Sequence, residues 1–270
     1  MSDALEVVIL GCGSSGGVPR ADGDWGACDP ENPKNRRSRC SMLVRRKSFT
    51  NQAAETTIVV DTSPDFRTQV ATAGVRRVDA VLYTHDHADQ THGIDDLRVF
   101  AGRMRRRVPC WMDDLTHERL TSRFFYIFNG ELGYPPICEA HRIPAHGTDW
   151  SVDGPSGAIP VTTFDQDHGP IRSVGYRFGP VAYSSDVLAM PPESLRALAG
   201  VKLWIVDALR WTPHPTHAHV ERALEWIAEV RPERAVLTNL HIDLDYEALA
   251  RELPLGVEPA YDGMTLTILL

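Results

Sequence analysis

The stretch Thr84-His85-Asp86-His87-Ala88-Asp89-Gln90-Thr91-His92-Gly93 decides how the rest of this chain is read. It follows Ala80-Val81-Leu82-Tyr83, a short apolar run that reads as a buried strand. Beyond it, Ile94, Leu97 and Val99 lie in a stretch that reads as a helix. Two imidazoles two residues apart, with a carboxylate two further on, can converge on a cation at the mouth of a strand-to-helix turn. Imidazole and carboxylate together suit zinc, and manganese or iron almost as well. A single histidine here would read as an incidental loop residue; the H-x-H-x-D spacing at a strand end points to a metal site.

One loop does not complete such a site. Asp167-His168-Gly169 follows the apolar strand Ile159 to Phe164. Ser184-Ser185-Asp186 ends another, after Val181-Ala182-Tyr183, and Thr238-Asn239-Leu240-His241 ends a third, after Ala235-Val236-Leu237. Each polar group sits just past the C-terminal end of a strand, where open α/β sheets place their ligands. One of them alone would read as a cap or turn.

Strands are predicted at 5–10, 41–46, 56–61, 79–83, 108–112, 159–165, 173–178, 181–185, 201–206, 234–238 and 264–270. Helices are predicted at 64–73, 89–106, 114–127, 192–199, 217–230 and 245–252. The clearest helical period is Val220, Ala223, Leu224, Ile227 and Ala228. Pro64 is placed to open a helix and Gly74 to close it. This mixture gives an α/β fold with helices outside. The Pro/Gly-rich stretch 144–160 reads as an internal loop of one domain spanning 1–270, because ligand candidates lie on both sides of it.

A net charge of -8 argues against a general nucleic-acid coat or a membrane-surface binder, both of which need a basic field. No apolar run approaches membrane-spanning length, and Met1-Ser2-Asp3 leads into Val7-Val8-Ile9-Leu10 without a signal-peptide layout. Cys12, Cys28, Cys40, Cys110 and Cys138 are odd in number and scattered, as free thiols of a reducing compartment would be. The expected location is the cytoplasm.

The ordered set of H-x-H-x-D, His168, Asp186 and His241 resembles the metallo-β-lactamase-fold hydrolases. Leu10-Gly11-Cys12-Gly13-Ser14, Asn35-Arg36-Arg37-Ser38-Arg39, Asp61-Thr62-Ser63-Pro64-Asp65 and Tyr261-Asp262-Gly263-Met264 are similar to the branch holding the cyclic-phosphate phosphodiesterase of phosphonate breakdown. The pyrroloquinoline-quinone biosynthesis protein of that branch shares a Ser-Pro-Asp segment. The resemblance implies a four-layer αββα sandwich with one or two Zn2+ or Mn2+ ions at one edge. It implies His85, His87 and His168 on a first metal, Asp186 bridging, and Asp89, Asp186 and His241 on a second. The family's usual histidine after Asp89 is here Gln90. An amide oxygen is a weaker ligand than imidazole, so the second site is expected to be loose or empty. The relatives' N-terminal cysteine-based zinc site is not expected, since only Cys28 and Cys40 stand there.

The resemblance gives His217 the place beside the leaving group, where an imidazolium can donate a proton. A plain helix-start histidine is the other reading, and His214, His117, His141 and His146 read as background. Asp61 and Asp207 each read either as a carboxylate accepting a ligand histidine's free N–H or as a cap. Arg36, Arg37 and Arg39 read either as a phosphate-binding knot or as a solvated face. Gly11-x-Gly13-x-x-Gly16 matches a dinucleotide fingerprint, but Gly17-Val18-Pro19 does not open a helix. A glycine loop presenting Ser14 and backbone N–H groups to a phosphate fits better.

The function so implied is metal-dependent hydrolysis of a small cyclic phosphodiester, phosphoribosyl cyclic phosphate-like, or of a nucleotide-like substrate, through a metal-bound hydroxide. Asp89 and His217 are the candidate catalytic groups. The expected partner is a small phosphorylated metabolite, not a membrane or long RNA, and a homodimer is compatible with the chain. Two rivals stand: a same-fold thioester or lactone hydrolase, and a non-enzymatic metabolite-binding accessory resembling the pyrroloquinoline-quinone pathway member.

Overall fold

Apolar runs without polar alternation mark strands buried on both faces. In the computed structural model, which describes residues 3–48 and 54–270, these runs form two seven-stranded sheets stacked face to face. The first half of the chain gives β1 (Ala4–Gly11), β2 (Ser41–Lys47), β3 (Glu55–Val60), α1 (Phe66–Thr72), β4 (Ala80–Leu82), α2 (Ala88–Thr91), α3 (Leu97–Met104), β5 (Val108–Met112), α4 (Asp114–Arg123), α5 (Phe125–Asn129) and β6 (Cys138–Arg142). The second half gives β7 (Asp149–Val152), β8 (Ile159–His168), β9 (Ile171–Phe178), β10 (Val181–Ser184), α6 (Pro192–Ala197), β11 (Leu203–Asp207), α7 (Val220–Val230), β12 (Arg234–Thr238), α8 (Tyr246–Glu252), β13 (Val257–Pro259) and β14 (Thr265–Leu269). The sheet orders are β14-β1-β2-β3-β4-β5-β6 and β13-β12-β11-β10-β9-β8-β7. The last strand thus returns to the first sheet and ties the two halves into one unit.

Alternate residues of each strand face two different cores. Leu5, Val7 and Ile9 of β1, with Ile58 and Val60 of β3 and Leu203 and Ile205 of β11, fill the space between the sheets. Val8, Leu10, Val59 and Val81 face outward under α1, α3, α4 and α5. Trp204 and Val206 face the other way, under α6, α7 and α8. The layers run helix, sheet, sheet, helix, as the resemblance implies.

Three predicted segments differ in detail. The helix expected at 89–106 is broken into α2, a 3-10 turn at Ile94–Asp96, and α3, because Gly93 must pass against Ser63. A Cβ at Gly93 would stand 2.1 Å from the Ser63 carbonyl oxygen. The stretch 144–160 is not all loop: Asp149–Val152 pairs antiparallel with β8 as an edge strand, and its single Trp150 and Val152 gave too little apolar signal. The helix at 217–230 starts only at Val220, so His217 lies in the loop before it.

Arg37 corrects the reading of the basic knot. Its side chain is buried; Nη2 donates to the carbonyl of Leu244 at 2.7 Å and Nη1 to that of His241 at 3.2 Å. It clamps the segment after β12, and its remaining donor, Nε, is buried away from any phosphate in solution. Arg37→Met is therefore expected to lower unfolding stability by about 2–3 kcal/mol, because it strands buried acceptors of a charged donor. Urea midpoints test this; an unchanged midpoint with a raised KM would return Arg37 to substrate binding.

Candidate metal centre

The polar residues singled out at strand ends meet at one end of the sandwich, between the sheets. Parallel pairing sets this up: Val60 of β3 is level with Leu82 of β4, and Ser184 of β10 with Val206 of β11 and Leu237 of β12. Residues just after these positions share one rim. The tail of β4 is fastened to the opposite sheet, where Val174 N–H donates to Thr84 O at 2.8 Å and Tyr176 Oη–H to Tyr83 O at 2.7 Å.

His85, His87, His168 and Asp186 each offer a ligand atom, and these four atoms lie within 4.8 Å of one another. Asp186 Oδ2 is 3.7 Å from His85 Nε2 and 3.8 Å from His168 Nε2. Both rings have their tautomers fixed from behind. Thr84 Oγ1 gives its proton to Asp61 Oδ2 at 2.8 Å, so at 2.9 Å from His85 it accepts from Nδ1–H. His168 Nδ1–H donates to the carbonyl of Thr216 at 2.7 Å. The Nε2 lone pairs therefore point at Asp186, and His85 Nε2 is buried without a hydrogen-bond partner. Burial pulls the His85 pKa down to about 3, which keeps its lone pair free. Three imidazoles and one carboxylate, with an orphaned nitrogen among them, fit a divalent cation. A cation placed there relieves the unpaired acceptor.

Asp186 divides its two oxygens between tasks. Oδ1 accepts from Ser185 Oγ at 2.7 Å, Gln90 Nε2 at 3.2 Å and Asn239 Nδ2 at 3.4 Å. Oδ2 faces the histidines. Burial raises its pKa, but His85, His217 and His168 lower it further, to about 2, so it is ionised. Asp61, Asp186 and Asn239 all hold left-handed backbone, at φ 60°, 55° and 62°. Such strain persists where surrounding structure over-determines it, and at functional sites.

The predicted residues fall into place unevenly. His217 Nε2 stands 4.0 Å from Asp186 Oδ2, and its Nδ1 is 2.8 Å from Asp207 Oδ2. Asp207 is thus a carboxylate on a site histidine and not a helix cap. Burial works against a charge on His217, but Asp207 and then Asp186 raise its pKa to about 9. Asp61 supports His85 only through Thr84, a relay the sequence reading missed, and it caps no helix. Asp89 lies on the cleft floor, its pKa raised to about 6 by burial and then by Asp186. His241 is the main departure: it is not among the four clustered ligands, and Arg20 Nη2 stands 2.6 Å from its Nε2. Arg20 carries no motif and was missed.

A small cavity of about 170 Å³ is lined by Ser14, Asp89, Arg210, His214, His217 and His241. It shares Ser15 and Asp89 with an open cleft of about 640 Å³ flanked by Arg20 and Arg39. His214, read from sequence as background, belongs to this wall, with its ring 5.2 Å from that of His217. Arg39 pairs with Asp65 at 3.0 Å and stays partly exposed, whereas Arg36 sits 5.1 Å from the Trp25 ring centre. A cavity of about 720 Å³ lies against the outer face of β1 and β2, away from Asp89 and His217, which line the smaller cavity beside the ligand cluster. Among the described residues no helix is long and apolar enough to cross a membrane.

Residues 56–242 match the family model described as the beta-lactamase superfamily domain. A solved structure described as a new diphosphatase from the PhnP family superposes with a TM-score of 0.86 and 31% identity, over 98% of this chain and 97% of that one. Zinc-bound PqqB from Methylobacterium extorquens shares the fold at a TM-score of 0.71 and 19% identity, over 97% of this chain and 99% of its own. An octanoyltransferase of Porphyromonas gingivalis is 30% identical over 96% of this chain, which spans about half (51%) of that relative's length. The chain belongs to the β-lactamase superfamily of metallo-β-lactamase-fold hydrolases, in its PhnP-like branch.

Proposed function

We propose that this chain is a metal-dependent phosphoric diester hydrolase acting on a small phosphorylated metabolite, with His85, His87, His168 and Asp186 holding a Zn2+ or Mn2+ ion. The observation that carries this is the four-atom ligand cluster beside the cationic His217, which lines a small cavity sharing Ser15 and Asp89 with a cleft flanked by Arg20 and Arg39. A divalent ion at such a cluster supplies Lewis-acid polarisation of a phosphoryl oxygen and an acidified water. The chain's own groups do the rest. Arg20 and Arg39 hold substrate oxyanions as forked donors. Ser14 offers a hydroxyl at the cavity wall. His217, kept cationic by Asp207, donates to the departing oxygen.

The combined cleft suits a mononucleotide-sized molecule. A phosphoanhydride is the second reading, favoured by the diphosphatase relative and by two arginines on one wall, enough for a second phosphate. A panel on zinc- or manganese-loaded protein separates these from the acyl alternatives. We expect turnover of bis(p-nitrophenyl) phosphate and of ribosyl cyclic phosphates or nucleotide diphosphate esters, at least about 100-fold above that of octanoyl thioesters and lactones. Faster acyl than phosphoryl turnover would overturn the assignment.

A further inference from the structure

Asp89 Oδ2, Asp186 Oδ1 and His241 Nε2, beside which a second cation would sit, already meet hydrogen-bond donors of the chain. Gln90 Nε2 lies between the two carboxylates, 3.2 Å from Asp186 Oδ1 and 3.5 Å from Asp89 Oδ2. Turning the amide over would set its oxygen against two carboxylates, so the NH2 orientation is the favourable one. Asn239 Nδ2 and Ser185 Oγ complete the coverage of Asp186 Oδ1. The remaining imidazole, His241, has Arg20 at 2.6 Å from Nε2. A guanidinium has no acceptor, so the Nε2 lone pair of His241 is committed to it.

We propose that this centre holds one metal ion and not two, with the Gln90 amide standing where a second cation would sit and Arg20 occupying the imidazole that would bind it. The inference rests on the metal-centre assignment above. Gln90 neutralises part of the charge between Asp89 and Asp186 with a permanent dipole. Arg20 supplies a fixed positive charge on the same wall, where a substrate oxyanion meets a guanidinium in place of a second ion. Restoring an imidazole at position 90 removes the amide N–H groups and presents a lone pair to the same space, between two carboxylates.

The test is metal content of the full chain, stripped with chelator, reloaded with excess Zn2+ and desalted. Wild type is expected to retain one Zn2+ per chain, and Gln90→His two. A Gln90→His/Arg20→Ala protein, with His241 also released, is expected to hold the second ion more tightly. Co2+-loaded samples give an independent readout: an uncoupled paramagnetic signal in wild type, and a spin-coupled pair in Gln90→His. Two tightly held ions in wild type would overturn the inference and leave the metal-centre assignment standing. No retained ion in wild type would overturn both. Folded Gln90→His and double-variant proteins that each keep a single ion would show that Gln90 and Arg20 do not block the second position.

Discussion

Asp186→Asn is expected to release the metal ion and to lower turnover at least about 10³-fold. The substitution is isosteric, yet it removes the negative charge and replaces one acceptor oxygen with a donor. Oδ1 receives donors from Ser185, Gln90 and Asn239, while Oδ2 faces the Nε2 atoms of His85, His168 and His217. An asparagine must turn its NH2 either into those three donors or into the place of the ion. Losing the ion's charge stabilisation forfeits several kcal/mol in the transition state. At 1.36 kcal/mol per tenfold in rate, about 4 kcal/mol gives the stated loss. Zinc analysis after gel filtration and turnover of bis(p-nitrophenyl) phosphate check it together. Stoichiometric zinc with near-normal turnover would mean that Asp186 is a structural carboxylate.

The contrast between Asp186 and His241 shows what the sequence makes legible. Both follow an apolar strand of the second sheet, and order along the chain treats them alike. Asp186 is two residues past β10, still on the rim, with its left-handed backbone directing the carboxylate inward. His241 is three residues past β12, beyond the left-handed Asn239, in a segment joined to the β1 loop by Leu240 N–H to Cys12 O at 2.8 Å. It is Asn239 that reaches Asp186, while the histidine meets Arg20. Periodicity locates a strand end but not the direction of each side chain after it. Arg20 and Thr84 were invisible for a related reason: one comes from an irregular loop without a period, and the other touches the ligand through a hydroxyl common at any strand end. The H-x-H-x-D motif was legible because strand, turn and helix start are all local.

The same reasoning separates the arginines, which sequence shows only as a cluster. Arg36 and Arg37 are adjacent in an extended segment, so their side chains leave to opposite sides, and Arg39 is drawn off by its ion pair with Asp65. Arg37 turns inward to backbone carbonyls, Arg36 outward over Trp25, and Arg39 toward Asp65 at the cleft. A charge run in sequence therefore became one clamp, one surface contact and one wall of the site.

His217→Ala is expected to lower turnover about 10²–10⁴-fold on substrates that release an alkoxide, with the metal content unchanged. The loss should be much smaller on p-nitrophenyl esters, because p-nitrophenolate departs without a proton. This split distinguishes proton donation from a role in packing, which would affect both leaving groups equally. The pH dependence carries a sign. Burial favours the neutral ring, but Asp207 at 2.8 Å and Asp186 at 4.0 Å raise the pKa to about 9, above the ordinary 6.5. The imidazolium is therefore present at neutral pH and lost as pH rises through about 9, giving an alkaline limb on alkoxide substrates. Asp207→Asn removes the larger of the two carboxylate effects, so that limb should move to lower pH while His217 stays in place. A limb that does not move in Asp207→Asn, or an equal loss on both leaving groups in His217→Ala, would assign the proton to another group. His214, 5.2 Å away on the same wall, is then the next to test, and because burial and the His217 cation lower its pKa, a limb owed to it would lie at lower pH.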